Sequence, residues 1–148
     1  IGIFSPGFFF LGHPLSPFHV ERPAMSNTFC HMELHSANTD GSKKFYGDLF
    51  GWGMQDMPMG DHTYTMFKTS DSDDDIHGGI TQSQCPDGTS SWMSYVLVDD
   101  VDASLKKAAD LGAEVIVEKT EIPGMGWMVV ISDPAGARLG LWQSMNPS

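Results

Sequence analysis

The chain has 148 residues, 41% of them hydrophobic and 18% charged, which suits one globular core and is too short for two independent domains of ordinary size. Eight basic residues against 19 acidic ones give a formal net charge of -11, which excludes the clustered Lys and Arg that a phosphate backbone demands, so no nucleic-acid partner is expected. No stretch approaches the ~20 consecutive apolar residues of a membrane span, so no membrane partner is expected either.

Residues 1–24 differ in character from the rest of the chain. The segment is rich in Phe, Pro and Gly and carries the run Phe8-Phe9-Phe10-Leu11, but it lacks the basic start of a secretory signal, and Pro6, Pro14 and Pro17 break any helix. It reads as a leader outside the fold. Met25-Ser26-Asn27 looks like a natural start, and the domain is placed at residues 25–148.

From Thr28 the pattern becomes regular. Between Phe29 and Ser36 apolar and polar residues alternate, with His31, Glu33 and His35 on one face and Cys30, Met32 and Leu34 on the other, a half-buried strand. Asn38-Thr39-Asp40 offers caps for a helix over 42–50, with Phe45, Leu49 and Phe50 predicted inward and Gly51 as its stop. Strands are predicted at 52–57, 64–69 and 76–81, the last two separated by the acidic turn Asp71 to Asp75. That turn lacks the Gly and distant bidentate Glu of a calcium loop and reads as solvated.

The same order then returns. A strand at 92–98 leads through Asp99-Asp100 to a helix over 101–111, with Val101, Leu105, Ala108 and Leu111 at helical spacing and Gly112 as its stop. Strands come next at 114–118, 127–131 and 138–142, the last two joined by Ser132-Asp133-Pro134-Ala135-Gly136. Strand, helix and three strands, twice over, predict an α+β fold of two βαβββ modules, at about 28–82 and 91–143, and the family resemblance carried by the motifs below implies that their curved mixed sheets surround a central cup. Pro123-Gly124-Met125-Gly126 reads as a possible lid ahead of Trp127 and Met128.

Two cysteines, Cys30 and Cys85, sit in no redox or zinc-ribbon spacing and fit a reducing, cytoplasmic setting. By alternation the cup is lined by His31, Glu33, His35, Tyr95, Arg138 and Trp142, a mostly apolar hollow with a few polar handles. The absent side chain of Gly140 reads as a vacancy in it. If catalysis occurs without metal, Glu33 is the natural base, its pKa raised by burial, with His31 or His35 as partner, and Tyr95 is placed to polarise a carbonyl.

The segments Phe45-Tyr46-Gly47-Asp48-Leu49-Phe50-Gly51-Trp52, Val98-Asp99-Asp100-Val101-Asp102 and Asp133-Pro134-Ala135-Gly136, in this order, resemble the vicinal oxygen chelate superfamily of glyoxalases, bleomycin resistance proteins and extradiol dioxygenases. The resemblance covers about Thr28 to Gln143 and is greatest to its glyoxalase-related bacterial group. It implies a metal site of four positions, on the first strand of each module, an inner strand of the first and the last strand of the second. His31 fills the first, fourteen residues before Phe45. The others fall on Met93, on Gly140 and on an inner strand without His or carboxylate. One ligand in four implies no lactoylglutathione lyase activity. A displaced site with adjacent members of His31, Glu33 and His35, completed by His62 or His77, is the remaining route to a divalent ion, although His31 and His35 stand ~13 Å apart along a strand.

Two small-molecule functions are compatible with the sequence, beside a third reading, an interaction module whose sheets serve only dimerisation and whose cup its own side chains would fill, against which the vacancy at Gly140 argues. One is a lyase, isomerase or dioxygenase acting on a small carbonyl or vicinal-oxygen compound. The other is sequestration of a drug or antibiotic, as the resemblance to bleomycin resistance proteins implies. Both take a small-molecule ligand, and a homodimer is expected.

Overall fold

The computed structural model describes residues 26–72 and 75–146. The leader lies outside the described residues, as do Asp73 and Asp74 of the acidic turn. The elements run in chain order β1 (Phe29–Ser36), α1 (Thr39–Phe50), β2 (Gly53–Met59), β3 (His62–Lys68), β4 (His77–Gln82), β5 (Ser91–Leu97), α2 (Val101–Asp110), β6 (Glu114–Ile122), β7 (Gly126–Ser132) and β8 (Arg138–Ser144). This is βαβββ twice.

One curled eight-stranded sheet joins the modules in the order β2-β3-β4-β1-β5-β8-β7-β6. β1 runs parallel to β4, β5 runs parallel to β8, and β1 meets β5 antiparallel at the seam. Both halves of the cup therefore come from one chain. The seam sets His31 opposite Tyr95 and Glu33 opposite Met93, while Glu33 faces Gly79 on β4.

Local chemistry explains the helices. Asn38 caps α1 by accepting the Gly41 amide, and Gly51 ends it in the left-handed conformation at φ 69° that glycine alone takes without strain. Asp100 caps α2 through the amides of Asp102 and Ala103. The turn between β7 and β8 is organised by the Asp133 carboxylate, which accepts the amides of Ala135 and Ala137.

Both helices pack on one face of the sheet. Under α2, Val98, Val101, Val129, Ile131 and Leu141 form a buried cluster that Leu105 and Ala108 join. Under α1 lie Leu34, Phe67 and Ile80, covered by Tyr46, Trp52 and Met54. The expected inward set on α1 is corrected here: Phe45, Leu49 and Phe50 are each more than half exposed, and the helix turns Ser42 and Tyr46 to the sheet instead. Two contacts fix that rotation. Ser42 and Ser36 share a hydroxyl hydrogen bond at 2.7 Å, and Tyr46 stacks on Trp52, which stacks in turn on Phe67. The expected lid is also corrected: Pro123 to Met125 form a tight hairpin turn, closed by the Met125 amide on the Ile122 carbonyl, between the paired strands β6 and β7. No helix among the described residues is long and apolar enough to cross a membrane.

Phe67→Ala should cost about 3–5 kcal/mol because the ring is 2% exposed and holds the stack together. Gly47→Ala, inside α1 with open space at its Cβ, should stabilise by about 0.5–1 kcal/mol. Urea unfolding of the two variants measures both, and a neutral Phe67→Ala would contradict this packing.

Candidate functional site

The sheet face turned away from the helices carries the side chains of β1 that alternate with Leu34, namely His31, Glu33 and His35. Glu33 is the hub. Its Oε1 accepts from His35 Nε2 at 2.7 Å and from the Tyr95 hydroxyl at 3.2 Å, and its Oε2 accepts from the Tyr64 hydroxyl at 2.8 Å. His31 Nε2 lies 2.8 Å from the Tyr64 oxygen, and the His31 ring stands edge-on to Tyr95. Side chains from β1, β3 and β5 thus meet on one carboxylate, across both modules.

Two glycines make room for this. Glu33 pairs with Gly79, where an added Cβ would lie 1.9 Å from the Tyr64 hydroxyl oxygen; Tyr95 pairs with Gly140, where an added Cβ would lie 2.2 Å from the Tyr95 ring. Gly140 is therefore no vacancy. Its space is taken by Tyr95, 4% exposed, which packs with Met93 and Val130 and is joined by Met128 and Trp142.

Burial opposes the charge on Glu33, but the hydrogen bonds from His35 and Tyr64 and the neighbouring His35 and His31 outweigh it and hold the carboxyl below the ordinary glutamate value. The expectation of a raised pKa is overturned for that reason: burial came with donors. Glu33 is a poor proton acceptor with its oxygens already engaged. Burial, followed by the charge of Glu33 and the hydrogen bond to it, pushes both tyrosine hydroxyls far above their usual range, so they stay protonated. Desolvation lowers His31, only partly opposed by Glu33. Burial pushes the Cys30 thiol up, and its Sγ rests on the Tyr95 carbonyl at 3.6 Å, so no thiolate is offered.

Of the residues singled out in the sequence, His31, Glu33, His35 and Tyr95 come together. Trp142 forms cup wall beside Tyr95. Arg138 shares the face of Gly140 and Trp142 by register, but it is exposed and stands at the rim. His62 and His77 do not join. His62, at the exposed start of β3, pairs with Asp61, and His77 is held by the Thr69 amide and the Ser72 carbonyl. Tyr64 was missed, although the alternation Tyr64-Met66 opposite the buried Thr65-Phe67 placed it on this face.

The residues present do not fit a divalent ion. The described residues contain no convergent group of three or more His, Cys, Asp or Glu side chains. Glu33 and the Nε2 atoms of both histidines are committed to one another and to tyrosines, and tyrosine rings cover Gly79 and Gly140. Two surface hollows of about 270 and 560 Å³ lie elsewhere, one over Ser36, Asn38 and Ser42, the other over Met54, Gln55 and Lys68. Neither touches Glu33, the residue on which the polar side chains of β1, β3 and β5 converge.

Comparison with known proteins agrees with this fold. The family profile described as bleomycin resistance protein-like N-terminal matches residues 28–70. The proposed glyoxylase CFP32 of Mycobacterium tuberculosis is 35% identical over 116 residues, covering 76% of this chain and 44% of that protein. The anthracycline biosynthesis protein DnrV of Streptomyces peucetius is 30% identical over 128 residues, covering 75% and 45%. The chain thus spans less than half the length of these relatives. Among solved structures, methylmalonyl-CoA epimerase of Mycobacterium tuberculosis superposes with a TM-score of 0.64 at 13% identity over 86% of this chain and 95% of that one. The Streptomyces coelicolor epimerase gives 0.63 at 16% over 82% and 99%. At such identities the likeness speaks for the fold alone.

Folded His31 has its pKa below the ordinary 6.5, and folded Glu33 below 4.5, so in both windows the unfolded chain binds more protons and stability rises with pH. Acidification should therefore lower the urea midpoint first below pH 6.5 and again below 4.5, and His31→Gln should abolish only the first loss. Gly140→Ala should displace Tyr95 and cost about 1–3 kcal/mol; thermal unfolding with no change would refute the close packing.

Proposed function

The chain belongs to the vicinal oxygen chelate superfamily, and from that premise we propose that it binds a small organic molecule in its cup without a metal ion and sequesters rather than transforms it. The observation that carries this reading is Glu33: ionised, 13% exposed in its side chain, and already accepting from three side chains. Lyase and isomerase chemistry on a carbonyl compound builds negative charge on a substrate oxygen and needs donors or a cation aimed at it. Here the floor presents a carboxylate, and both tyrosine protons are spent on it, so that charge would be repelled. Glu33 and His35 are then ligand-binding and positioning groups, not the base and its partner. The surrounding Met93, Met128, Tyr95 and Trp142 supply apolar, polarizable walls for a flat ring. The similarity to DnrV, an anthracycline biosynthesis protein, supports an aromatic ligand.

A homodimer belongs to the same reading, supported by the exposed Phe45, Leu49 and Phe50 on α1, an apolar band that a second copy would cover. The cytoplasmic placement is supported by two free thiols, Cys30 and Cys85.

Calorimetric titration of chelator-stripped protein with nickel, zinc, manganese and anaerobic ferrous ions should give no tight one-to-one binding. Compounds that raise the melting temperature should do so equally with and without chelator. Stoichiometric metal binding that disappears in His31→Ala would sink the metal-independent reading.

A further inference from the structure

Resting on the reading that the cup binds a small molecule, we infer that its ligand is identified by hydrogen-bond donors on an aromatic ring, hydroxyl or protonated amine, and that carboxylates and donor-free ethers are rejected. The inference follows from where the protons of the network must lie. Glu33 is an acceptor only, so the Tyr64 hydroxyl gives it its single proton, as the 2.8 Å contact to Oε2 requires. The Tyr95 hydroxyl spends its proton on Oε1. His31 Nε2 sits 2.8 Å from a Tyr64 oxygen with no proton left to give, so Nε2 must be the donor. That fixes the tautomer: neutral His31 carries its proton on Nε2 and leaves Nδ1 as a bare lone pair. His35 Nε2 likewise donates to Glu33.

The polar atoms that this proton order leaves over beside Glu33 are acceptors: His31 Nδ1, the Tyr95 oxygen and the remaining lone-pair capacity of Glu33. No buried side-chain nitrogen or oxygen among the described residues lacks a partner, so His31 Nδ1, which has none, is open to whatever fills the cup. A ligand seated over these atoms must supply donors or leave their lone pairs unpaired. An anion would add repulsion from Glu33, in a chain whose formal charge is already -11. The aromatic requirement comes from the walls, where Trp142, Tyr95, Met93 and Met128 offer ring edges and thioethers.

The test uses four naphthalene probes of similar shape on the full chain, with binding read by amide NMR shifts and calorimetry: 2,6-dihydroxynaphthalene, 2-naphthylmethylamine, 2,6-dimethoxynaphthalene and 2-naphthoate. The diol or the amine should bind in the cup on the order of tenfold more tightly than the diether or the carboxylate, and whichever of the two binds better separates a hydroxyl from an ammonium ligand. Binding in the cup with no such preference, or with the carboxylate preferred, would overturn the inference and leave the binding function standing. Shifts from none of the four would overturn both. Nitrogen-15 NMR of wild-type histidines should show His31 protonated at Nε2, and the Nδ1-protonated form would refute the proton order whatever binds. Tyr64→Phe, which removes the acceptor facing His31 Nε2, should raise the Nδ1-protonated fraction of His31 in the same spectra, a change that loss of packing alone would not produce.

Discussion

An ionised carboxylate held away from water is the constraint on which the rest of this fold turns. Taking Glu33 out of solvent costs several kcal/mol unless its lone pairs are matched by donors. The fold matches them with Tyr64 from β3, Tyr95 from β5 and His35 from β1 itself. Those three partners lie on both sides of the module seam, so the carboxylate also acts as a clasp between the halves. Charge-assisted hydrogen bonds are the strong kind, and their geometry ties the curl of the sheet to one atom group.

The clasp has a steric condition on either side. Tyr64 reaches Glu33 by crossing β4 above Gly79, and Tyr95 lies over Gly140 of β8. β4 and β8 hold equivalent places in the two modules, each parallel to its module's first strand. The repeat thus uses the same device twice, a tyrosine ring seated on a neighbouring strand's glycine. A residue with any side chain at either glycine, a metal-binding Glu included, would have to evict the ring. Among the described residues the tyrosine rings occupy the space that side chains at those two glycines would need.

The architecture was legible because it depends on local signals. Periodicity of two at 29–36, capping by Asn38 and Asp100, and stops at Gly51 and Gly112 each have a physical cause within a few residues. The rotation of α1 was not legible, because Phe45 and Tyr46 are both plausible inward residues. The choice between them is made by Trp52 and Phe67, distant in sequence. The candidate site was half legible. Alternation placed His31, Glu33, His35 and Tyr95 on one face, but Gly140 looked empty because nothing in its neighbourhood shows that Tyr95 from another strand fills it. The sign of the Glu33 shift was misjudged for the same reason: burial can be read from a strand pattern, whereas donors arriving from β3 and β5 cannot.

A buried hydrogen-bond network has a direction, and here that direction runs inward. His35, Tyr64 and Tyr95 point their donors at Glu33, and His31 points its Nε2 at the Tyr64 oxygen. A superfamily cup with a cation at its floor would draw electrons from what it binds; under the proposed reading this one would offer them. The two designs can share strand order, curl and size while selecting opposite ligand chemistries, since selectivity lies in which partner carries the proton. Likeness of fold therefore says little about what enters this cup, and the proton order around one glutamate says a good deal.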